Sequence, residues 1–258
     1  MLYDSTEDVI RKALRGLDLA PSEAAARAGM TDKEAIAASR QPVGSEILRK
    51  LAPALGLGGD ALAGLPSYQP PACKLTELTR LELPFHDETV NAWLLDNGVG
   101  GWILFDTGDG RLDVRRELER RDIRKVSVFI THSHGDHTGG LSSLKEIARS
   151  VAGPENLKPG DLLPSGKLSI RVIDLPGHCQ GALGYVVEGL AQPLCVTGDA
   201  LFAGSMGNCG PGEPYQSALA ALKAGVMSLP DETVLLPGHG PETTVGSERS
   251  GNAFLAGC

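Results

Sequence analysis

Three of the chain's six histidines fall within one run, Thr131-His132-Ser133-His134-Gly135-Asp136-His137-Thr138-Gly139-Gly140. Imidazole and carboxylate at this density make poor core and good divalent-metal ligands. Side chains alternate along extended backbone, so His132, His134 and Asp136 are expected to share one side. Gly135 frees the turn, and His137 leaves on another heading. One short loop can thus feed two adjacent metal positions. Further metal-capable residues recur in one pattern: an apolar run, a glycine, then His178, Asp199 or His239. Asp106 also ends an apolar run, in Asp106-Thr107-Gly108. His86, which precedes Asp87-Glu88, reads as a surface residue, with a place in the pocket wall as the alternative.

The elements that must position these groups are mostly strands. Val126 to Ile130 is apolar and β-branched, and it leads straight into the histidine loop. Leu75 to Leu83 alternates weakly. Val90 to Leu95 and Trp102 to Phe105 read as strands joined by the hairpin signal Asn97-Gly98-Val99-Gly100-Gly101. Lys167 to Leu175, Gly184 to Val187, Leu194 to Thr197 and Thr233 to Leu236 complete the set. Helices are expected over Leu112 to Arg121, Leu141 to Arg149 and Gln216 to Leu229. The strand ends would then aim Asp106, the loop, His178, Asp199 and His239 at one place, where α/β proteins usually keep their chemistry.

Residues 1–66 read as a small all-α domain, with 67–74 as a proline-stiffened linker and 75–258 as the larger domain. Thr6 to Leu14 is one helical pattern. Ser22 is read as the N-cap of the next helix, which Gly29 ends. Thr31 and Glu34 form a capping box, Ser45 opens another helix that Gly56 closes, and Asp60 to Leu65 adds a last turn. The order resembles the helix-turn-helix domain of phage-repressor-type regulators over about 50 residues. Eight basic against nine acidic residues in this part argue against DNA phosphate contacts. Packing, dimerisation or a substrate lid is the expected role, and loss of the unit is expected to leave metal binding intact.

The whole chain has 258 residues and a net charge of −8, which disfavours a general polyanion binder. No 18-residue apolar run is present and the N-terminus lacks signal-peptide order, so no membrane span and a cytoplasmic location are expected. Cys73, Cys179, Cys195, Cys209 and Cys258 lack C-x-x-C spacing and read as free thiols. No serine elbow is present, and Cys179 and Cys209 read as small buried or loop residues rather than nucleophiles.

The ordered set Asp-Thr-Gly, Thr-His-x-His-x-Asp-His-x-Gly-Gly, Pro-Gly-His, Thr-Gly-Asp-Ala-Leu-Phe and Leu-Pro-Gly-His-Gly resembles the metallo-β-lactamase-fold hydrolases. Within them it is most similar to the hydroxyacylglutathione hydrolase (glyoxalase II) branch, over roughly residues 75–256. The resemblance implies an α/β fold, a four-layer αββα sandwich with its site at one edge of two sheets. It implies one metal on His132, His134 and His178, a second on Asp136, His137 and His239, and Asp199 bridging them. Asp106 would orient a ligand histidine. Nitrogen and oxygen donors without thiolate suit two divalent ions, zinc foremost, with iron or manganese as alternatives.

The implied activity is hydrolysis of a small acyl ester, thioester or lactone, with Asp136 as the catalytic carboxylate. The pattern departs from that branch at Cys179-Gln180 and Asn208, and the C-terminal helical domain that supplies glutathione contacts there is not expected here. Two other readings stand beside it. One is a mononuclear iron dioxygenase of the persulfide type, using His132, His178 and Asp199. The other is a ligand-sensing DNA-binding regulator. Nucleic acid and membrane partners are not expected, and the helical unit could form a homo-oligomer.

Overall fold

The computed structural model describes residues 1–111 and 114–256. Leu112, Asp113 and Cys258 therefore lie outside the described residues. The chain opens with α1 (Thr6–Gly16), α2 (Pro21–Ala28), α3 (Asp32–Ala38), α4 (Ser45–Leu51) and α5 (Gly59–Gly64). Thr31 caps α3, and the Glu34 carboxylate accepts the Thr31 N–H at 2.8 Å. Ser5 and Asp8 form the same box on α1. Ser22 is not a cap. The second helix starts two residues earlier, at Pro21 after Ala20, because proline at the first helical position is preset in φ.

Sheet A runs in the order β1 (Leu78–Phe85), β2 (Glu88–Asp96), β3 (Trp102–Phe105), β4 (Val126–Phe129) and β5 (Ala148–Ala152). The expected hairpin joins β2 to β3, and α6 (Val114–Arg120) links β3 to β4. The helix expected over Leu141 to Arg149 is replaced by a 3-10 turn, Gly139–Leu144, and then β5, which pairs parallel with β4. Leu141, Leu144 and Ile147 have helical spacing, but main-chain pairing along the free edge of β4 wins over it.

The short helix α7 (Gly135–Thr138) lies between β4 and that turn. Sheet B contains β6 (Leu162–Ser165), β7 (Leu168–Asp174), β8 (Leu183–Glu188), β9 (Leu194–Gly198), β12 (Val234–Pro237) and β13 (Thr243–Thr244), in the order β13-β12-β9-β8-β7-β6. A small hairpin, β10 (Leu201–Phe202) and β11 (Ser205–Met206), follows β9. The expected helix over Gln216 to Leu229 is α8 (Glu213–Ala224) plus a separate 3-10 turn, and α9 (Val245–Gly251) comes last.

Strand alternation creates the layers. Ile103, Phe105 and Phe129 of sheet A meet Ile170, Tyr185, Val196 and Leu236 of sheet B in the central core. The opposite face of sheet A, with Leu104, Val126 and Val128, is covered by Val114 and Leu118 of α6. The opposite face of sheet B, with Val186, Cys195 and Leu235, is covered by Tyr215, Leu222 and Phe254. This is the αββα sandwich.

Val9, Ile10, Leu48, Leu51 and Leu62 of the N-terminal helices belong to that last apolar cluster. The helical unit is thus part of the outer layer on sheet B, and its apolar face has no separate core. Among the described residues, no helix is long and apolar enough to cross a membrane.

Candidate metal centre

Sheet topology explains why distant residues meet. On sheet A, β3 and β4 run parallel and end at Asp106 and at the histidine loop. On sheet B, β7 and β9 both pair antiparallel with β8, while β12 is parallel to β9. All three therefore run one way and deliver His178, Asp199 and His239 to one edge. Gly177 makes the turn before His178 at φ 112°, and a side chain there would strike Pro214 O at 2.5 Å.

Two donor groups form at this edge. One is His132, His134 and His178; the other is Asp136, His137, Asp199 and His239. The expected sharing of one side by His132, His134 and Asp136 fails at Gly135. There α7 begins, and its helical turn carries Asp136 round to the His137 group. Asp199 lies between the groups, with Oδ2 3.5 Å from both His178 Nε2 and His239 Nε2, and Oδ1 3.3 Å from His137 Nε2.

The outer ring nitrogens are pinned. His178 Nδ1 is 2.9 Å from Asn208 O, His239 Nδ1 is 2.7 Å from Thr89 O, and His137 Nδ1 is 2.8 Å from Asp106 Oδ2. Carbonyl and carboxylate oxygens only accept, so these Nδ1 atoms carry protons and each Nε2 is free to bind inward. Thr131 Oγ1 donates to Asp106 Oδ2 at 2.8 Å and so accepts from His132 Nδ1 at 3.0 Å. The inward His132 Nε2 and His178 Nε2 each lie 3.1 Å from His134 Nδ1. That leaves two lone pairs facing one ring nitrogen, a donor set suited to a cation.

Burial sharpens the point. His137 Nε2 and Asp199 Oδ1 are buried and face each other at 3.3 Å without an aligned hydrogen bond, and neither has another hydrogen-bond partner among the described residues, an arrangement that costs free energy unless another group satisfies them. The backbone also closes in. A side chain at Gly238 would sit 2.1 Å from Asp199 Oδ1 and 2.7 Å from His137 Cε1. Asp106 itself adopts φ 60°, a region non-glycine residues seldom occupy. It holds the Thr131 N–H at 2.8 Å as well as His137.

Protonation follows the surroundings. Burial, with the neighbouring His137, drives His132 down to about 3. Burial likewise lowers His178. Burial opposes protonation of His239 too, but hydrogen bonds to Asp136 and Asp199 outweigh it and raise the ring to about 9. Burial is also outweighed at His137, which Asp106 and Asp199 hold well above the usual imidazole range. Asp199 stays well below the carboxylate range despite burial, because His137 and His239 face it.

The site wall contains residues that sequence reasoning missed. The Tyr3 ring stacks on His239, with centroids 4.5 Å apart and planes 20° from parallel, and meets Phe202 edge-on at 4.9 Å. Lys12 Nζ lies 5.0 Å from the Phe202 centroid, pairs with Asp4 and donates to Met206 O at 2.9 Å. No local pattern in Met1 to Lys12 announces this, because the contacts span about 200 positions. His86 is exposed and rests edge-on against Phe85 at 4.6 Å. Cys179 Sγ is 3.5 Å from Ser133 Oγ, and burial pushes the Cys209 thiol up to about 11.

Residues 87–167 match the family model described as Metallo-beta-lactamase superfamily. A hydroxyacylglutathione hydrolase of Nitrosomonas eutropha is 35% identical over 162 residues, covering 57% of this chain and 59% of that protein. The hydroxyacylglutathione hydrolase GloC of Haemophilus influenzae is 24% identical over 66% of this chain and 89% of its own length. Among solved structures, the BLEG-1 B3 metallo-beta-lactamase superposes with a TM-score of 0.60 at 24% identity, over 70% of this chain and all 100% of that one. The αββα sandwich and the superposed structure agree on the metallo-β-lactamase fold, residues 87–167 match that superfamily's model, and the similar sequences include hydroxyacylglutathione hydrolases.

Proposed function

We propose that this protein hydrolyses a small acyl ester, thioester or lactone with two divalent metal ions. The observation that carries the reading is the convergence of seven donors, with the outer ring nitrogens of His137, His178 and His239 fixed by the fold. His132, His134 and His178 would hold one ion, Asp136, His137 and His239 the other, and Asp199 would bridge them. The unpartnered His137 Nε2 and Asp199 Oδ1 fit such ions. Zinc suits this donor set, as do iron and manganese.

Two such ions supply a water acidic enough to deprotonate near neutral pH and a positive seat for the carbonyl oxygen. The chain's own groups do the rest. Asp136 Oδ2, 3.4 Å from His239 Nε2, is placed to take up the proton. Asp106 holds the His137 ring in its working tautomer. Tyr3 and Phe202 flank the His239 ring and keep bulk water from that side. The expected partners are the small-molecule substrate and, through the helical unit, a second copy of the chain, and free cysteines fit a cytoplasmic setting.

Elemental analysis of the purified protein, beside a panel of thioesters, lactones and phosphodiesters, tests the reading. The expected result is about two metal ions per chain, from the two donor groups, and acyl hydrolysis that a chelator abolishes. One iron per chain, with oxygen uptake on a persulfide, would replace it with the dioxygenase reading.

A further inference from the structure

A cavity of about 250 Å³ opens at the donor cluster, bounded by Lys12, His178, Asp199 and Asn208. A second, of about 470 Å³, is bounded by Arg11, Lys12, Arg15 and Asn208. The two share Asp8, Lys12 and Asn208 as a common wall, so a groove leads from the cluster along α1. Asn208 joins them physically: its carbonyl accepts from His178 Nδ1, while the residue itself lines the groove.

The outer part of the groove is positive in a chain whose net charge is −8, with Arg11, Lys12 and Arg15 against Asp8, while Asp4, Asp8, Glu88 and Asp199 line the part at the donor cluster. Lys12 is matched by Asp4, and Arg11 by Asp8. Arg11 is also tied to the helical unit through Ser39 O at 2.8 Å. Arg15 is exposed, one turn further along the same helix face, and its guanidinium has no hydrogen bond or ion pair among the described residues. Its five donors are open to an anion, and guanidinium matches carboxylate and phosphate geometry.

We propose that the groove along α1 holds an anionic end of the substrate, a carboxylate or a phosphate, whose acyl carbon lies at the donor cluster, with Arg15 as the selecting charge. This inference rests on the hydrolase reading for the acyl end alone. It gives the N-terminal helices a role in substrate selection.

The test uses the metal-loaded protein and three thioether ketones that cannot be hydrolysed, CH3-CO-CH2-S-CH2-CH2-X, where X is carboxylate, carboxamide or phosphonate. Calorimetry should find at least one anion bound about three- to tenfold more tightly than the isosteric carboxamide, the range expected for one partly exposed charge pair. The tighter of the two anions identifies the natural end. Arg15→Gln should erase the preference and Arg15→Glu should invert it, with unchanged metal content and thermal midpoint. The matching thioesters, CH3-CO-S-CH2-CH2-X, should show the same order in KM with kcat little changed.

Equal affinity for all three ketones, or a preference that survives Arg15→Glu, overturns the proposal even if every thioester is hydrolysed. Selective binding without turnover of any thioester supports the groove and removes the hydrolase reading instead.

Discussion

Asp106 Oδ2 lies 2.8 Å from His137 Nδ1, and both side chains are almost fully buried, at 2% and 0% exposure. The same carboxylate fixes Thr131 through its N–H and its hydroxyl, so one residue orders the loop and sets a ring's tautomer. Asp106→Asn keeps the shape and replaces charge by an amide. Metal affinity should fall about 10- to 100-fold, read by chelator competition, with folding retained.

His134 is exposed at the rim of its donor group. His134→Ala should therefore abolish hydrolysis while leaving the circular dichroism spectrum and urea midpoint close to wild type. Full activity of this variant, or of chelator-stripped protein, would contradict the assignment.

Gly238 leaves no room beside Asp199 and His137. Gly238→Ala should displace one of them and cost most of the bound metal, seen by elemental analysis. The neighbouring strand β12 is buried throughout and should keep its hydrogen-exchange protection.

Protons and metal ions compete for His137 and His239. Both rings are held above the usual imidazole range, His239 at about 9, so without metal they are protonated at neutral pH. Metal entry must expel those protons. Apparent affinity should fall as pH falls, by about tenfold per pH unit for each proton displaced. Chelator competition across roughly pH 6 to 8 measures it. Affinity independent of pH would place the protons elsewhere.

Glu248 ties four separate segments together. Its buried carboxylate accepts from Tyr68 Oη at 2.6 Å, Thr243 Oγ1 at 2.7 Å, Gly204 N at 2.9 Å and Asn252 Nδ2 at 2.9 Å. Glu248→Ala leaves several buried donors without an acceptor and should cost about 3–5 kcal/mol. Tyr68→Phe should cost about 1 kcal/mol. Urea denaturation reads both.

The donors were legible because apolar strands and glycine turns mark the places where ligands end a strand. Trp102–Phe105 was bounded by its own sequence, and Thr31 with Glu34 announced a helix start. Legibility failed where tertiary pairing decides. Ala148–Ala152 is a strand only because β4 offers it an edge. Asp136 faces His239 rather than His132 because the backbone coils at Gly135. Tyr3 and Lys12 reach the site through a docking of the helical layer that periodicity does not encode. Removal of residues 1–66 is expected to leave metal binding intact, but it would also strip the Tyr3 ring from His239.

The stacked Tyr3 ring has a practical corollary for anyone purifying this protein. A tag fused ahead of Met1 joins the chain close to a ring that touches a donor histidine. Kinetic constants are therefore best compared with the tag in place and after its removal, since a shift in the Tyr3 ring reaches His239 directly.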